Sequence, residues 1–256
     1  MHTFFHIGAH TIPAYGFMIA LGVIIANIVA LFVLKRTKQD FNDFVILEAY
    51  CMLGAFLGAK ILYLVVSFRE IEWNRVLDIN YANQLMLAGF VFYGGLIGGL
   101  ILVVIAGKFH KIDANEYIKN FIFLIPFIHS FGRIGCFLAG CCYGIPYEGL
   151  FSVTFPQESY ALSGVSLFPV QLFEAGGLMI ISSIILVLQL RVSFAYTIEL
   201  YFVLYGLLRF VLERLRYDEA RGFILGVSTS QWISIFLIIF AVVLYCKKKI
   251  KLRKTI

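Results

Sequence analysis

Residues 13–38 read PAYGFMIALGVIIANIVALFVLKRTK, and the first 22 of them include no charged side chain. An α-helix of about 20 apolar residues crosses the hydrocarbon core of a bilayer, which is roughly 30 Å thick. This stretch therefore predicts a membrane-spanning helix that ends at the basic residues Lys35, Arg36 and Lys38.

The rest of the chain repeats this pattern. Of its 256 residues, 61% are hydrophobic and 14% are charged, whereas a soluble globular domain carries about 25% charged residues. The composition excludes an ordinary soluble fold and predicts an all-α polytopic membrane protein with a single domain, residues 1–256. The predicted spans are roughly 13–34, 44–66, 86–106, 118–138, 169–190, 194–212 and 229–246.

The basic residues predict the orientation of these seven spans. Loops rich in Lys and Arg stay in the cytoplasm, and this rule places 13 of the 21 basic residues there, including the run from Lys247 to Lys254. The loop at 139–168 contains none, so it is predicted to be external, with the N-terminus outside and the C-terminus cytoplasmic. Because the net charge of +6 lies mainly between spans and at the C-terminus, it indicates topology and not nucleic-acid binding.

Two loops deserve separate interpretations. The segment at 68–84 interleaves charged and apolar residues, as an interfacial helix, a lid or a solvated loop with an aromatic anchor would. The loop at 139–168 is the longest between spans and is rich in Gly and aromatic residues. Long loops of this kind often carry function.

Ionisable residues inside spans are costly, so each is a candidate functional residue. They are Glu48, Lys60, Arg133, Glu174, Glu199 and Arg209. In the predicted orientation, Arg133, Glu174 and Arg209 lie toward the external ends of their helices, together with Glu213, and are expected to cluster. The alternative is that each arginine only extends to the interface or ties two helices together.

Arg133 lies between two glycines, Gly132 and Gly135. Such glycines let a backbone or a lipid headgroup approach, and a guanidinium group binds phosphate in a bidentate manner. Glycines also serve plain helix packing in membranes. That alternative applies here and equally to Gly94 and Gly95 in the third span.

The sixth span ends with a second arginine pattern. Arg209 and Glu213 are four residues apart and share a helical face, so the carboxylate is expected to pair with the guanidinium group. Arg216 continues this face toward the external surface. A phosphate that approaches from the outer leaflet would meet several guanidinium groups.

These stretches together resemble the prolipoprotein diacylglyceryl transferase family. The similar segments are Tyr15-Gly16, Gly58-Ala59-Lys60 with Tyr63, Gly94-Gly95-Leu96-Ile97-Gly98, Gly132-Arg133-Ile134-Gly135, Pro169-Val170-Gln171-Leu172-Phe173-Glu174, Tyr205-Gly206 with Arg209 and Glu213, and Gln231-Trp232-Ile233-Ser234. They occur in the family's order and extend over most of the chain.

The resemblance implies an enzyme of the bacterial inner membrane with its active site toward the outer leaflet. Such an enzyme moves the diacylglyceryl group of phosphatidylglycerol to the lipobox cysteine of a prolipoprotein, forms a thioether, and needs no cofactor or metal. It also implies that Arg133 and Arg209 hold the phosphoglycerol headgroup. The predicted substrate-binding set adds Glu213, Tyr15, Gly94, Gly95, Gly132 and Gly135, with His129, Glu174 and Arg216 as secondary candidates.

The chain departs from the family pattern at several positions. Tyr93 stands where the family has a histidine proposed to help deprotonate the thiol, and it is the predicted catalytic residue beside Arg133 and Arg209. Tyrosine titrates near 10, so it would need a neighbouring arginine to act as a base. His129, one turn before Arg133, is an alternative base or a packing residue.

Three cysteines also depart from the family pattern. Cys136 replaces an asparagine, Cys141 falls on the glutamate of an Asn-Gly-Glu motif, and Cys142 follows it. Cysteines near an oxidising face invite a disulfide or a metal site. Because adjacent cysteines make a strained bridge and no histidine follows at ligand spacing, the sequence predicts no metal.

The departures leave two alternative functions open. One is a paralogue that uses the same lipid donor with a different acceptor. The other is a lipid-binding or transport protein without chemistry. Transporters commonly show inverted repeats, and this sequence shows none. A charged cluster at one leaflet favours an interfacial enzyme.

Overall fold

The computed structural model describes residues 4–7, 10–87, 89–157, 159–217 and 223–253. Lys254, the last residue of the predicted cytoplasmic run, lies outside these ranges. The helices in the described ranges are α1 (Ala14–Thr37), α2 (Phe41–Val66), α3 (Ile79–Leu87), α4 (Phe92–His110), α5 (Ala114–Phe121), α6 (Leu124–Ala139), α7 (Val170–Val192), α8 (Thr197–Leu212) and α9 (Thr229–Arg253). Three two-stranded antiparallel hairpins accompany them: β1 (Phe4–Ile7) with β2 (His10–Pro13), β3 (Val153–Thr154) with β4 (Ser166–Leu167), and β5 (Phe223–Ile224) with β6 (Val227–Ser228).

The helices confirm a polytopic membrane protein. Among the described residues, α1, α2, α4, α7 and α9 are each long and apolar enough to cross a bilayer, and the bent pair of α5 and α6 makes a sixth candidate. Helix α8 has 16 residues, or about 24 Å, which is shorter than the hydrocarbon core. Five to six spans are therefore established by length and composition, and the seventh stays a prediction.

The span predicted at 118–138 corresponds to this bent pair, in which the chain breaks between α5 and α6 with a bend of 49°. The sequence prediction overlooked Pro126, which lies in the first turn of α6. Proline has no N–H and clashes with the preceding turn, so it can begin a helix but not continue one. Ser182 of α7 donates a hydrogen bond to the carbonyl of Phe123 at 2.9 Å, which satisfies a backbone group at the break.

The chain divides into two compact units, Met1–Arg36 with Lys119–Ile256, and Thr37–Ile118. In the first unit α6 packs on α7, α7 on α8, and α8 on α9. Helix α1 lies against α6, where a methyl group at Gly22 would come within 2.8 Å of the Phe131 Cβ.

The second unit is built on a glycine contact between α2 and α4. A methyl group at Gly58 of α2 would lie 2.2 Å from the carbonyl oxygen of Gly94, and one at Gly98 would lie 2.3 Å from that of Gly54. Only glycine permits backbones to approach this closely. Helix packing thus explains Gly94, and Gly95 faces α2 as well, 3.2 Å from the Ala55 oxygen by the same measure. Their predicted contact with substrate stays a prediction.

The segment at 68–84 in this unit is partly helical. It contains a 3-10 turn at Trp73–Arg75 and the start of α3. Trp73 Nε1 donates a hydrogen bond to the Phe68 carbonyl at 2.9 Å. The side chains of Leu77 and Ile79 are exposed, as they would be on a segment that lies at a membrane interface.

The loop after α6 folds around a small core of its own. Phe155, Ala161 and Leu167 are buried there, and the α6 residue Phe137 packs edge-on against Phe155. Its backbone also reaches the segment after α8, since Ile145 N–H donates to the Leu215 carbonyl at 3.0 Å. The loop is therefore an ordered support for the residues that follow α8.

Candidate functional site

Glu174 is the centre of a buried cluster of charges. Its side chain is 1% exposed and lies near the start of α7. One turn earlier on the same helix, the buried Gln171 donates a hydrogen bond from Nε2 to the Cys141 carbonyl at 2.8 Å. Helix α7 therefore carries both the Glu174 carboxylate and the side chain that holds the loop after α6. The sequence ranked Glu174 as secondary, and the geometry places it at the centre.

Arg209 joins α8 to this carboxylate. Its Nη1 lies 3.1 Å and 3.3 Å from the two carboxylate oxygens of Glu174, and its Nη2 lies 2.7 Å from Glu213 Oε2. Nη2 also donates to Ser230 Oγ at 3.4 Å. The predicted pairing of Arg209 with Glu213 is confirmed. The planar fork of the guanidinium group is needed because one side chain spans two carboxylates.

Arg133 reaches the same carboxylate from α6, with Nη2 3.0 Å from Glu174 Oε1. Its side chain is 14% exposed, the most accessible of the cluster's arginines. Its Nε is buried and has no hydrogen-bond partner among the residues that the structure describes. Arg133 therefore retains a donor for a further acceptor.

Arg216 completes the cluster. Its Nη1 lies 4.0 Å from Glu174 Oε2, and its side chain is 2% exposed. An antiparallel bridge between Gly144 and Arg216 fixes its backbone against the loop after α6, and Tyr217 N–H donates to the Tyr143 carbonyl at 3.2 Å. The predicted clustering is confirmed, although a 3-10 turn and extended backbone, not a continuous helix, carry Arg216 there.

The cluster is rich in guanidinium groups. Among the described residues, those of Arg133, Arg209 and Arg216 meet the carboxylates of Glu174 and Glu213. A guanidinium group is a bidentate partner of phosphate, so this concentration of arginines favours binding of an anion.

Known proteins with similar sequences fit this chemistry. A family model for prolipoprotein diacylglyceryl transferase matches residues 2–247. The chain belongs to the prolipoprotein diacylglyceryl transferase family. It is accordingly a transferase, and its apolar helices and bacterial relatives make it a multi-pass protein of the inner membrane.

Clostridial relatives of this transferase match nearly the whole chain. A phosphatidylglycerol–prolipoprotein diacylglyceryl transferase 2 of Clostridium perfringens is 35% identical over 252 residues, 95% of this chain and 93% of the relative. A phosphatidylglycerol–prolipoprotein diacylglyceryl transferase of Clostridium tetani is 33% identical over 237 residues, 91% and 92% of the two chains. One of Finegoldia magna is 28% identical over 245 residues, 94% and 93%.

Two other predicted site residues of the transferase, Tyr15 and His129, lie within electrostatic range of Arg133. Tyr15, at the start of α1, is 46% exposed, and its backbone touches α6 at Gly135. The His129 ring packs against Tyr205, with the ring centroids 5.9 Å apart. Tyr93 begins α4 in the second unit and contacts the Phe92 ring at 5.8 Å between centroids.

Sequence reasoning missed two serines at the start of α9, Ser228 immediately before the helix and Ser230 in its first turn. Ser228 Oγ donates to Glu213 Oε1 at 3.1 Å, and Ser230 accepts from Arg209. Gln231 Oε1 accepts a hydrogen bond from the Ser228 N–H at 3.2 Å, which holds the turn into α9. Their place beside Gln231, where the family-like segment Gln231-Trp232-Ile233-Ser234 begins, was the signal that could have identified both serines.

The two glycines beside Arg133 give the transferase a matched pair of variants. A methyl group at Gly135 would lie 2.9 Å from the Tyr15 Cα, whereas one at Gly132 would make an ordinary contact of 3.8 Å with Ile19. We expect Gly135→Ala to lower the free energy of unfolding by about 1–3 kcal/mol through overpacking. Gly132→Ala should leave it unchanged or slightly higher.

Thermal unfolding in detergent micelles measures both variants. The two should differ clearly, although each adds one methyl group to α6 beside the same arginine. Equal midpoints would contradict the close approach of α1 to α6 at Gly135.

Proposed function

We propose that this protein transfers the diacylglyceryl group of phosphatidylglycerol to the lipobox cysteine of prolipoproteins. The buried cluster of arginines carries the proposal, because the phosphodiester of phosphatidylglycerol is an anion that guanidinium groups bind, and Arg133 keeps a buried Nε donor without a hydrogen-bond partner among the described residues. The names of the relatives support the same donor and acceptor.

The chemistry follows from the charges that develop. The lipobox thiolate attacks the glycerol carbon next to the phosphate ester, a C–S bond forms, and the C–O bond to phosphate breaks. Negative charge then grows on the departing glycerol phosphate, where Arg133 and Arg209 would stabilise it. The thiol must lose its proton to become a nucleophile. Tyr93 is the proposed acceptor of that proton, with His129 as the alternative.

The test of this function uses the purified full-length chain. Incubation with phosphatidylglycerol and a lipobox peptide should add the mass of one diacylglyceryl group to the peptide and release glycerol phosphate in equal amount. A peptide with serine at the lipobox cysteine is the control and should remain unmodified. Failure of the cysteine peptide to gain this mass while the lipid stays intact would contradict the proposal.

A second candidate keeps the lipid donor and changes the acceptor. Tyr93 and two cysteines, Cys136 and Cys141, favour it, because they replace polar positions of the family pattern. Under this function the lipobox peptide stays unmodified, yet phosphatidylglycerol is consumed and glycerol phosphate appears when the native acceptor is present in a membrane extract.

We further propose that the whole chain works as one transferase domain of seven spans, with its active site toward the outer leaflet. We expect an engineered thiol at Glu148→Cys, in the exposed loop after α6, to react with a membrane-impermeant maleimide in intact cells. Lys249→Cys near the C-terminus should react only after lysis. Both variants are made in a chain whose five native cysteines are replaced by serine. The opposite pattern would reject this orientation and the site location that depends on it.

Tyr93→Phe tests the proposed proton acceptor. The change keeps the ring and removes only the hydroxyl, so we expect turnover to fall about a hundredfold, the lower end of the range for a positioned proton-transfer group. The peptide lipidation assay measures it, with Phe92→Tyr as a control that adds a hydroxyl at the adjacent exposed ring. Parent-like turnover of Tyr93→Phe would leave Tyr93 as a packing residue and make His129 the next candidate.

A further inference from the structure

Three cysteines at the end of α6 form a compact group of thiols. The Sγ atoms of Cys136, Cys141 and Cys142 all lie within 4.8 Å of one another, and none of the three forms a disulfide. Cys136 is buried in the last turn of α6, and the other two follow the glycine that ends the helix. The sequence argued against a metal because no histidine follows the cysteines at ligand spacing, whereas the geometry brings three thiols together without one.

The backbone brings the three sulfur atoms together by turning sharply. Gly140 adopts a left-handed conformation with φ of 75°, and Cys142 does so with φ of 57°. A left-handed conformation is unfavourable for a residue with a side chain, and surrounding contacts must hold it. Here the Cys141 N–H donates to the Cys136 carbonyl at 3.0 Å, and Gln171 donates to the Cys141 carbonyl.

We propose that Cys136, Cys141 and Cys142 bind one soft metal ion, with zinc(II) as the ion to be tested. Thiolates are the preferred ligands of zinc and monovalent copper in proteins. Three sulfurs of a tetrahedral zinc site, each about 2.3 Å from the ion, lie about 3.8 Å apart. The present separations are at most 4.8 Å, so side-chain rotation that closes each pair by about 1 Å or less completes the site.

The charge of such a complex fits its surroundings. Three thiolates and one zinc ion sum to one negative charge, and a negative charge is favoured beside guanidinium groups. The guanidinium groups of Arg133 and Arg216 lie within electrostatic range of Cys142.

The site leaves one position open. Among the residues that the structure describes, no His, Asp, Glu or fourth Cys joins the three sulfurs. A closed structural zinc site has four protein ligands, so a water molecule or another small ligand takes the fourth position here. The bound ion would link the last turn of α6, through Cys136, to the loop that supports Arg216, through Cys141 and Cys142.

Metal uptake by the reduced full-length protein in detergent tests the proposal. After chelator treatment, the protein is titrated with Zn2+, and with Co2+ as a visible probe of thiolate coordination. We expect one ion per chain, the absorption of thiolate-bound Co2+, and protection of all three cysteines from alkylation, mapped by mass spectrometry of the peptides. The metal should not protect Cys51 or Cys246, which lie in α2 and α9.

Variants separate this site from adventitious binding. Serine at Cys136, Cys141 or Cys142 should each weaken Zn2+ binding by more than about a hundredfold, beyond the effect of losing an outer-shell partner. The double variant Cys51→Ser with Cys246→Ser should bind like the parent. Uptake that persists in the triple serine variant would overturn the proposal. So would three thiols in the unaltered chain that stay fully reactive in the presence of Zn2+.

Discussion

Arg209→Lys is expected to lower the kcat of diacylglyceryl transfer by about a thousandfold, near the upper end of the range for removal of one positioned donor. Arg209 contacts Glu174 through Nη1 and Glu213 through Nη2, and one ammonium group cannot make both contacts in the same plane. The positive charge remains, so the chain should still insert and fold. The lipidation assay gives kcat, and thermal unfolding in micelles checks the fold.

The chain supplies a matched control in Arg214→Lys. Arg214 is exposed and stacks over the Phe210 ring, with its guanidinium carbon 5.8 Å from the ring centroid, so its replacement should leave turnover unchanged.

Arg133→Lys should lower kcat by a similar factor to Arg209→Lys if both guanidinium groups bind the lipid phosphate. Near-normal turnover of both cluster variants would show that a simple positive charge suffices, and that the planar fork is not required.

Glu174→Gln is expected to lower the free energy of unfolding by about 3–5 kcal/mol, the cost of breaking a buried ion pair. It removes the carboxylate that Arg133, Arg209 and Arg216 share. The amide has nearly the same volume, so the loss reports charge and not packing. The midpoint of thermal unfolding should fall by roughly 10 °C, and turnover should fall with it because both phosphate-binding arginines lose their support.

Glu213→Gln is the matched comparison for Glu174→Gln. Both carboxylates are buried, and both contact Arg209. Among the described residues, Glu213 pairs with Arg209 through Oε2 and accepts from the Ser228 hydroxyl through Oε1, a bond that the amide oxygen of Gln can still accept, so the stability loss should be less than half as large. If the two variants unfold at the same midpoint, Glu174 is not the shared counter-charge of the cluster.

The sequence by itself determined the membrane character of the chain and the family to which it belongs. Apolar stretches of about 20 residues can only be satisfied as helices in a bilayer, where every backbone group must be paired internally. The pairing of Arg209 with Glu213 was also predictable, since residues four apart meet on one helical face. These inferences rest on local spacing, which the sequence contains directly.

The tertiary structure decided the rest, because it depends on residues that are distant along the chain. Glu174 lies 41 residues after Arg133 and 35 before Arg209, and only the packing of α7 between α6 and α8 makes it their shared partner. Ser230 joined Arg209 through the packing of α9 on α8 in the same way. The thiols of Cys136, Cys141 and Cys142 lie close together for a different reason. A left-handed turn at Gly140 reversed the chain after α6, and backbone torsions of this kind are fixed by the contacts around them and not by residue spacing.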